Sequence, residues 1–445
     1  MERLAKLCDV VFGGNGSGTL DQSESEVMGL KVLHSLHMYL SVTENWIYPQ
    51  IVGLPNIDSR VICHSVANLE TFLLDPHKII VSPPPWCFAF GFPRIINSVA
   101  ARLGWRDALA EAKMQLQRWR PDMLHAHFGP RGWDTVALKR RLNIPLVTSF
   151  YGYDAWVLLK REPFWAERYL ELFRIGDVFL VEGPAMRDRL LALGCPARKL
   201  QILQIGVDST ALPYERRRFS NGLKIVMVGR FTEKKGLIDG LVACALARSR
   251  GVNLDVTIVG DVSAGDTAGQ EIKKQLHAIA HDEQLLGRVR FTGFLPLTKT
   301  RAIVNAHNIF LCPSKHSGDG DAEGGSPVAL TEAMAMGLLC LGSRHCDIPQ
   351  VILDDKTGYL FHENDINSMA DILCRVSAAQ VGIAEVTDAG RRHVERKFSL
   401  AMQLDRLQQI YQSVRTNNTY WIAGENTKMC GNLSRDRNQT IRKCK

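Results

Sequence analysis

The stretch LKIVMVGRFTEKKG, Leu223–Gly236, decides how the chain folds. LKIVMV is an apolar, β-branched run closed by glycine, which predicts a strand buried in a parallel sheet. Gly229 then lets the backbone come close to a ligand, and Gly236 opens a helical segment whose N-terminal amides and dipole favour phosphate oxygens. Arg230 and Lys235 set two cations beside that helix start. Together they can hold a diphosphate and stabilise the negative charge that develops as it leaves.

The same rhythm continues downstream in Leu254–Gly260, Val289–Phe294, Ile309–Ser314 and Leu338–Ser343, with segments of helical period between them. Upstream the candidate strands are Leu30–Leu36, Arg60–His64, Lys78–Val81, Met123–His127, Pro145–Phe150, Val178–Val181 and Leu200–Ile205. Amphipathic stretches at Ser98–Trp119, Trp133–Leu142, Phe164–Ile175 and Ala185–Leu193 separate the later ones. Strand and helix in alternation predict βαβ units and parallel sheets. Each half has enough strands for its own doubly wound sheet, so the fold class is α/β with two Rossmann-like domains facing a central cleft. The polar, arginine-rich span Asp208–Gly222 is the expected boundary, giving domains at 29–208 and 209–397. Residues 1–28 and 416–445 fit neither pattern and are expected to be disordered.

A second site follows in GDGDAEGGSPVALTEAMAMG, Gly318–Gly337. Ser326 is an expected N-cap, Pro327 suits the first helical position, and Gly337 can end the helix in a left-handed conformation. A short helix would then point its positive end at the Gly324-Gly325 turn. Glu323 lies before this helix and Glu332 within it, so the two carboxylates can meet different hydroxyls of one ligand.

Composition sets outer limits. With 445 residues, 46% hydrophobic and 22% charged, the chain is globular in composition and too long for one comfortable core. The 11 cysteines are scattered singly, without CxxC pairs or zinc-ligand spacing, as in small buried hydrophobes of a reducing compartment. No run reaches the roughly 18 to 20 apolar residues of a spanning helix. The N-terminus MERLAKLCDVVFGGNGSG lacks a basic-then-apolar leader, so a cytoplasmic protein is expected. Gly13–Gly18 lacks the Lys-Ser/Thr ending of a phosphate loop. Half of the net charge of +8 sits in residues 416–445, which carry six Lys/Arg and two Asp/Glu; nucleic acid is therefore not an expected partner. The clusters Lys139-Arg140-Arg141 and Arg216-Arg217-Arg218 suit a solvated face, or contact with an anionic membrane or a phosphorylated acceptor.

The two sites together resemble the retaining GT-B glycosyltransferases of the large family four class, exopolysaccharide branch. These pair a Gly-Arg…Lys-Gly element with a Glu-Gly-x-Pro…Glu-Ala-Met-Ala element in the C-terminal domain. The likeness covers about residues 30 to 415 and includes His125-Ala126-His127-Phe128-Gly129, Tyr151-Gly152-Tyr153-Asp154, Ile205-Gly206-Val207-Asp208 and Asp347-Ile348-Pro349-Gln350. A C-terminal helix at Ser399–Val414, within the segment 398–415, would cross back to the N-domain, which binds the acceptor.

The resemblance implies roles for the matching positions. Gly229, Arg230 and Lys235 would clamp the diphosphate of a nucleotide sugar, and Glu332 would accept hydrogen bonds from the ribose. Glu323 with Gly324, Gly325 and Ser326 would face the transferred sugar, and His127, or His125, would sit near the anomeric centre. Asp154 is a further acceptor-side candidate, while Tyr151 stands where many relatives carry histidine. Glu323 and Glu332 are nine positions apart where eight is commonest, which marks Ser326 as one extra residue of the turn. Glu44 and Asn45 replace a Gly-Gly loop of many relatives and are either acceptor-side or helix-capping residues.

The implied reaction needs no metal and no cofactor and retains the anomeric configuration. The acceptor would be a glycan or polyprenyl-linked oligosaccharide of a surface polysaccharide pathway. Peripheral association with the inner face of the membrane would run through the basic helix Val99–Trp119. Rival readings are a nucleotide-sugar epimerase on the same fold and a non-catalytic scaffold or sugar-binding protein.

Overall fold

The computed structural model describes residues 29–82, 114–378 and 382–416. The two terminal extensions, the Gly13–Gly18 loop and most of Ser98–Trp119, with Arg102, Arg106 and Lys113, lie outside them.

Two parallel sheets carry the molecule. The first takes β1 (Leu30–Ser35), β3 (Ile57–Cys63), β5 (Ile79–Val81), β6 (Met123–His127), β7 (Leu146–Ser149), β8 (Val178–Val181) and β9 (Leu200–Ile202) in the order β5-β3-β1-β6-β7-β8-β9. The two-residue strands β2 (Met38–Tyr39) and β4 (Ser65–Val66) pair with each other beside it. The second takes β10 (Leu223–Val228), β11 (Leu254–Val259), β12 (Val289–Phe291), β13 (Ile309–Cys312), β14 (Leu339–Ser343) and β15 (Tyr359–Phe361) in the order β12-β11-β10-β13-β14-β15. In both, the order reverses beside the first strand, between β1 and β6 and between β10 and β13. At such reversals the flanking loops part and leave a crevice at the carboxyl strand ends. The chain therefore has the two Rossmann-like domains expected.

Strand burial explains the sequence pattern. All of β6, β7, β8, β13 and β14 is buried, as strands covered on both faces must be. The strand ends fall one to three residues inside several of the expected runs, and Tyr359–Phe361 was too short a run to register as a strand.

Ser326 does not cap the helix that follows it. That helix spans Val328–Ala335, Pro327 flanks it, and no side chain caps its N-terminus. Pro327 takes the cap position, so Ser326 stands one residue too early to cap. The exit is as expected: Gly337 is left-handed (φ +83°), and a Cβ there would stand 2.6 Å from the Glu215 carbonyl oxygen.

The last helix, Leu400–Arg415, is capped by the Ser399 hydroxyl, which accepts from the Met402 amide. It packs on the first sheet, not the second. Leu407, Ile410, Tyr411 and Val414 share one buried cluster with Leu30, Val32, Met123, Val147 and Leu180. Tyr411 Oη lies 2.6 Å from His125 Nδ1. We expect Tyr411→Phe, which leaves that buried ring nitrogen unpaired, to cost about 1–3 kcal/mol in urea unfolding; an unchanged midpoint would show that the contact ties nothing down.

Candidate functional site

Gly229 and Arg230 leave β10 at the reversal point of the second sheet, and a 3₁₀ turn, Glu233–Lys235, leads into the helix Leu237–Ser249. Gly236 between them is left-handed (φ +60°), and a Cβ there would fall 1.8 Å from the Pro313 carbonyl oxygen, so only glycine fits. A Cβ on Gly229 would lie 3.1 Å from the Lys235 stem. Glycine at 229 thus lets Lys235 lie flat across the strand end.

Lys235 Nζ is 2.8 Å from Glu323 Oε1, and the Ser314 hydroxyl at the end of β13 donates to the same oxygen at 2.8 Å. Burial pushes the Glu323 carboxyl up, but the Lys235 and Lys234 ammoniums override it and hold it at about 2. Lys234 is itself buried, bonded to Asp321 and to the Ala322 carbonyl. Glu332 is 7% exposed and paired with Arg301, whose Nε is 3.2 Å away. Arg230 is exposed, and among the described residues its guanidinium makes no ion pair. Burial pushes the Glu44 carboxyl of the first domain up, and the Arg230 charge is among the groups that oppose that rise.

The Gly324-Gly325 turn is pressed against the first domain. A Cβ on Gly324 would lie 2.6 Å from Gly152 Cα, and one on Gly325 would lie 1.8 Å from Glu182 Oε2. Ser326 lines a small cavity with Glu182, Gln204, Ile205, Asp347 and Gln350. Asp347 crosses the gap, its Oδ1 accepting from the Ala185 amide at the start of the helix Pro184–Ala192. Burial raises its carboxyl to about 6.

The histidines sit deeper than the cleft wall. His125 and His127 are fully buried, and burial drives both imidazoles well below their usual range, so they are neutral. His125 is bonded to Tyr411 and Ser149. His127 spans His34 (Nδ1 at 3.1 Å) and the Tyr151 hydroxyl (2.8 Å), and Tyr151 lines a second cavity with Gln50, Ser149, Glu182 and Ile205. Asp154 is buried too, its two oxygens accepting from the Gly129 and Tyr151 amides. It holds the turn that carries Tyr151. Ser41, not Glu44 or Asn45, caps the local 3₁₀ turn, which removes the helix-capping reading of those two.

The structure therefore gathers Gly229, Lys235 and Glu323 at one strand end, with Glu332 on the following helix, and leaves His125 buried against Tyr411 and His127 behind Tyr151. Sequence reading passed over Lys234, Arg301, Ser314 and Glu182. Glu182 was findable, since it follows β8 at a carboxyl strand end just before Gly183-Pro184. Burial, then the neighbouring Asp347, Asp154 and Glu323, drive its carboxyl well above the usual range. The basic clusters are largely absorbed by the fold: Lys139 pairs with Asp177, Arg140 with Glu171 and Arg216 with Asp388, while Arg217 bonds Asn305 and the Met336 carbonyl. No helix among the described residues is long and apolar enough to cross a membrane.

Known proteins supply a frame for this geometry. The family model described as glycosyl transferases group 1 matches residues 210–384, and that of glycosyltransferase family 4 matches residues 56–211. The putative colanic acid biosynthesis glycosyltransferase WcaL of Escherichia coli is 34% identical over 288 residues, covering 63% of this chain and 68% of that one. The amylovoran biosynthesis glycosyltransferase AmsK of Erwinia amylovora is 32% identical over 299 residues, covering 65% and 70%. In fold, the chain is similar to Anabaena Alr3699/HepE in complex with UDP, with TM-score 0.68, 15% identity and coverage of 87% of this chain and 100% of that one. The fold is GT-B.

The Glu323 carboxyl gives a stability test with a definite sign. Its folded value, about 2, lies below the ordinary 4.5, so its contribution is present above pH 4.5 and is lost as pH falls toward 2. We expect Glu323→Gln to cost roughly 2 kcal/mol more at pH 7 than at pH 3. Urea titrations at pH 7 and pH 3 check this, and an equal loss at both would contradict an ionised Glu323.

Proposed function

Because the chain belongs to the group 1 glycosyl transferases, family 4, and is a glycosyltransferase, we propose that it moves a sugar from a nucleoside-diphosphate sugar onto a glycan or lipid-linked acceptor with retention of configuration. One observation carries the reading: the Lys235 ammonium, aligned by Glu323, and the exposed Arg230 both stand on the loop that leads from β10 into the helix Leu237–Ser249. An ammonium has three protons, so Lys235 can keep Glu323 and still bond a phosphate oxygen. Arg230, Lys235 and the helix-end amides take up the charge of the departing diphosphate, with no metal or cofactor required. Glu332, on the helix after the turn, receives the ribose hydroxyls. The UDP bound in the structurally similar Anabaena Alr3699/HepE, and the UDP-glucose in another structure of that protein, support a uridine donor.

On the acceptor side, Glu44 and Asn45 stand on the 3₁₀ turn Val42–Ile47 of the first domain. Tyr151 separates His127 from the cavity, so His127 acts by orienting the tyrosine hydroxyl. The names of the WcaL and AmsK relatives, which concern colanic acid and amylovoran biosynthesis, support an exopolysaccharide pathway. A polyprenyl-linked acceptor would be met in the cytoplasm, at the inner face of the membrane.

The test is turnover with UDP-sugars and an acceptor panel. We expect Lys235→Ala and Glu332→Ala each to lower kcat/KM by at least about a hundredfold while circular dichroism stays unchanged. Donor incubated without acceptor is expected to stay unconverted. Full activity in both variants, or a new nucleotide sugar formed from donor alone, would defeat the reading.

A further inference from the structure

Three metal-seeking side chains meet behind the Glu323 turn, outside the machinery described above. One ligand atom from each of His316, His345 and Cys346 lies within 4.8 Å of the others. His345 is buried, His316 is exposed on the loop after β13, and Cys346 stands between the two in accessibility. Cys346 also has a left-handed backbone (φ +43°), an uncommon conformation for a residue with a Cβ, and it holds the thiol toward the histidines. Its sulfur is 3.3 Å from His345 Nε2.

The hydrogen bonds fix which nitrogens are available. Glu363 accepts from His345 Nδ1 at 2.7 Å and from His316 Nδ1 at 3.0 Å. A carboxylate only accepts, so both Nδ1 atoms carry the proton, and Nε2 is the nitrogen each neutral ring can offer as a lone pair. His345 Nε2 confirms this tautomer by accepting the Glu323 amide at 3.1 Å. One carboxylate ordering two imidazoles so that their far nitrogens present lone pairs is the outer shell that metal-ligating histidines use.

We infer that His316, His345 and Cys346, oriented by Glu363, form a binding site for a zinc-class divalent cation. The donor set is one thiolate and two imidazoles with a fourth position left for water, which suits zinc or cobalt and not magnesium or calcium. As the metal–sulfur bond forms, the thiol proton leaves to solvent, and the cation replaces the Glu323 amide on His345 Nε2. Ligand atoms around zinc, at about 2.0–2.3 Å from the metal, stand closer together than 4.8 Å, so His316 on its exposed loop moves inward. Occupancy and the hydrogen bond to the Glu323 amide exclude one another.

Cobalt makes the site visible. The reduced, chelator-treated full chain is titrated with cobalt(II) chloride, and we expect near-ultraviolet thiolate-to-cobalt absorption with the strong visible bands of a four-coordinate ion, all removed by added zinc. Cys346→Ser should lose the thiolate band. His316→Gln, on an exposed side chain, and Glu363→Gln should each weaken cobalt binding by at least about tenfold. A wild-type chain without the thiolate band, or a band that survives Cys346→Ser, overturns the site, as does unchanged affinity in His316→Gln.

Discussion

Burial alone would push the Glu323 carboxyl above its ordinary range. It stays ionised because two ammoniums and a hydroxyl converge on it: Lys235 and Lys234 from the loop after β10, and Ser314 from the end of β13. That convergence spans the two strands where the second sheet reverses its order. It fixes Lys235 across Gly229, and it fixes the backbone at the start of the turn, where the Glu323 carbonyl and the Gly324 Cα meet Gly152 of the other domain. A charge pair this secluded is costly to break from either side, since the remaining partner keeps its desolvation penalty.

Neither domain builds the cleft alone. The first sheet supplies Gly152, Glu182 and the start of the helix Pro184–Ala192; the second supplies the turn and Asp347, which binds the Ala185 amide. The last helix then seats its apolar face on the first sheet after the chain has completed the second. Such a return links the two domains at a second place, away from the turn, so their separation is set by contacts at both.

The architecture was legible because each of its signals is local. LKIVMV, LDVTIV and IFLC are buried on both faces, and such strands announce themselves as apolar runs. Gly229, Lys235, Glu323 and Glu332 were legible because glycine and charge beside a strand end need a special reason. What stayed hidden depends on distance along the chain. Arg301 is 31 residues from Glu332, and Lys234 is 87 from Asp321; no spacing rule links them. His127 looked like a cleft residue because it ends a strand, yet the ring of Tyr151 lies nearly parallel to it, 6.1 Å away, and closes it off. Ser-Pro before a helical run suggests a serine cap, but the helix starts at Val328 with Pro327 at the cap position, so Ser326 lies one residue outside.

The most direct measurement is a crystal structure of the chain with bound UDP. The expected density places the diphosphate at the start of the helix Leu237–Ser249, with Arg230 and Lys235 within about 3.2 Å of its oxygens and the ribose hydroxyls on Glu332. UDP bound elsewhere, or an Arg230 guanidinium still turned to bulk water beside an occupied site, would contradict it.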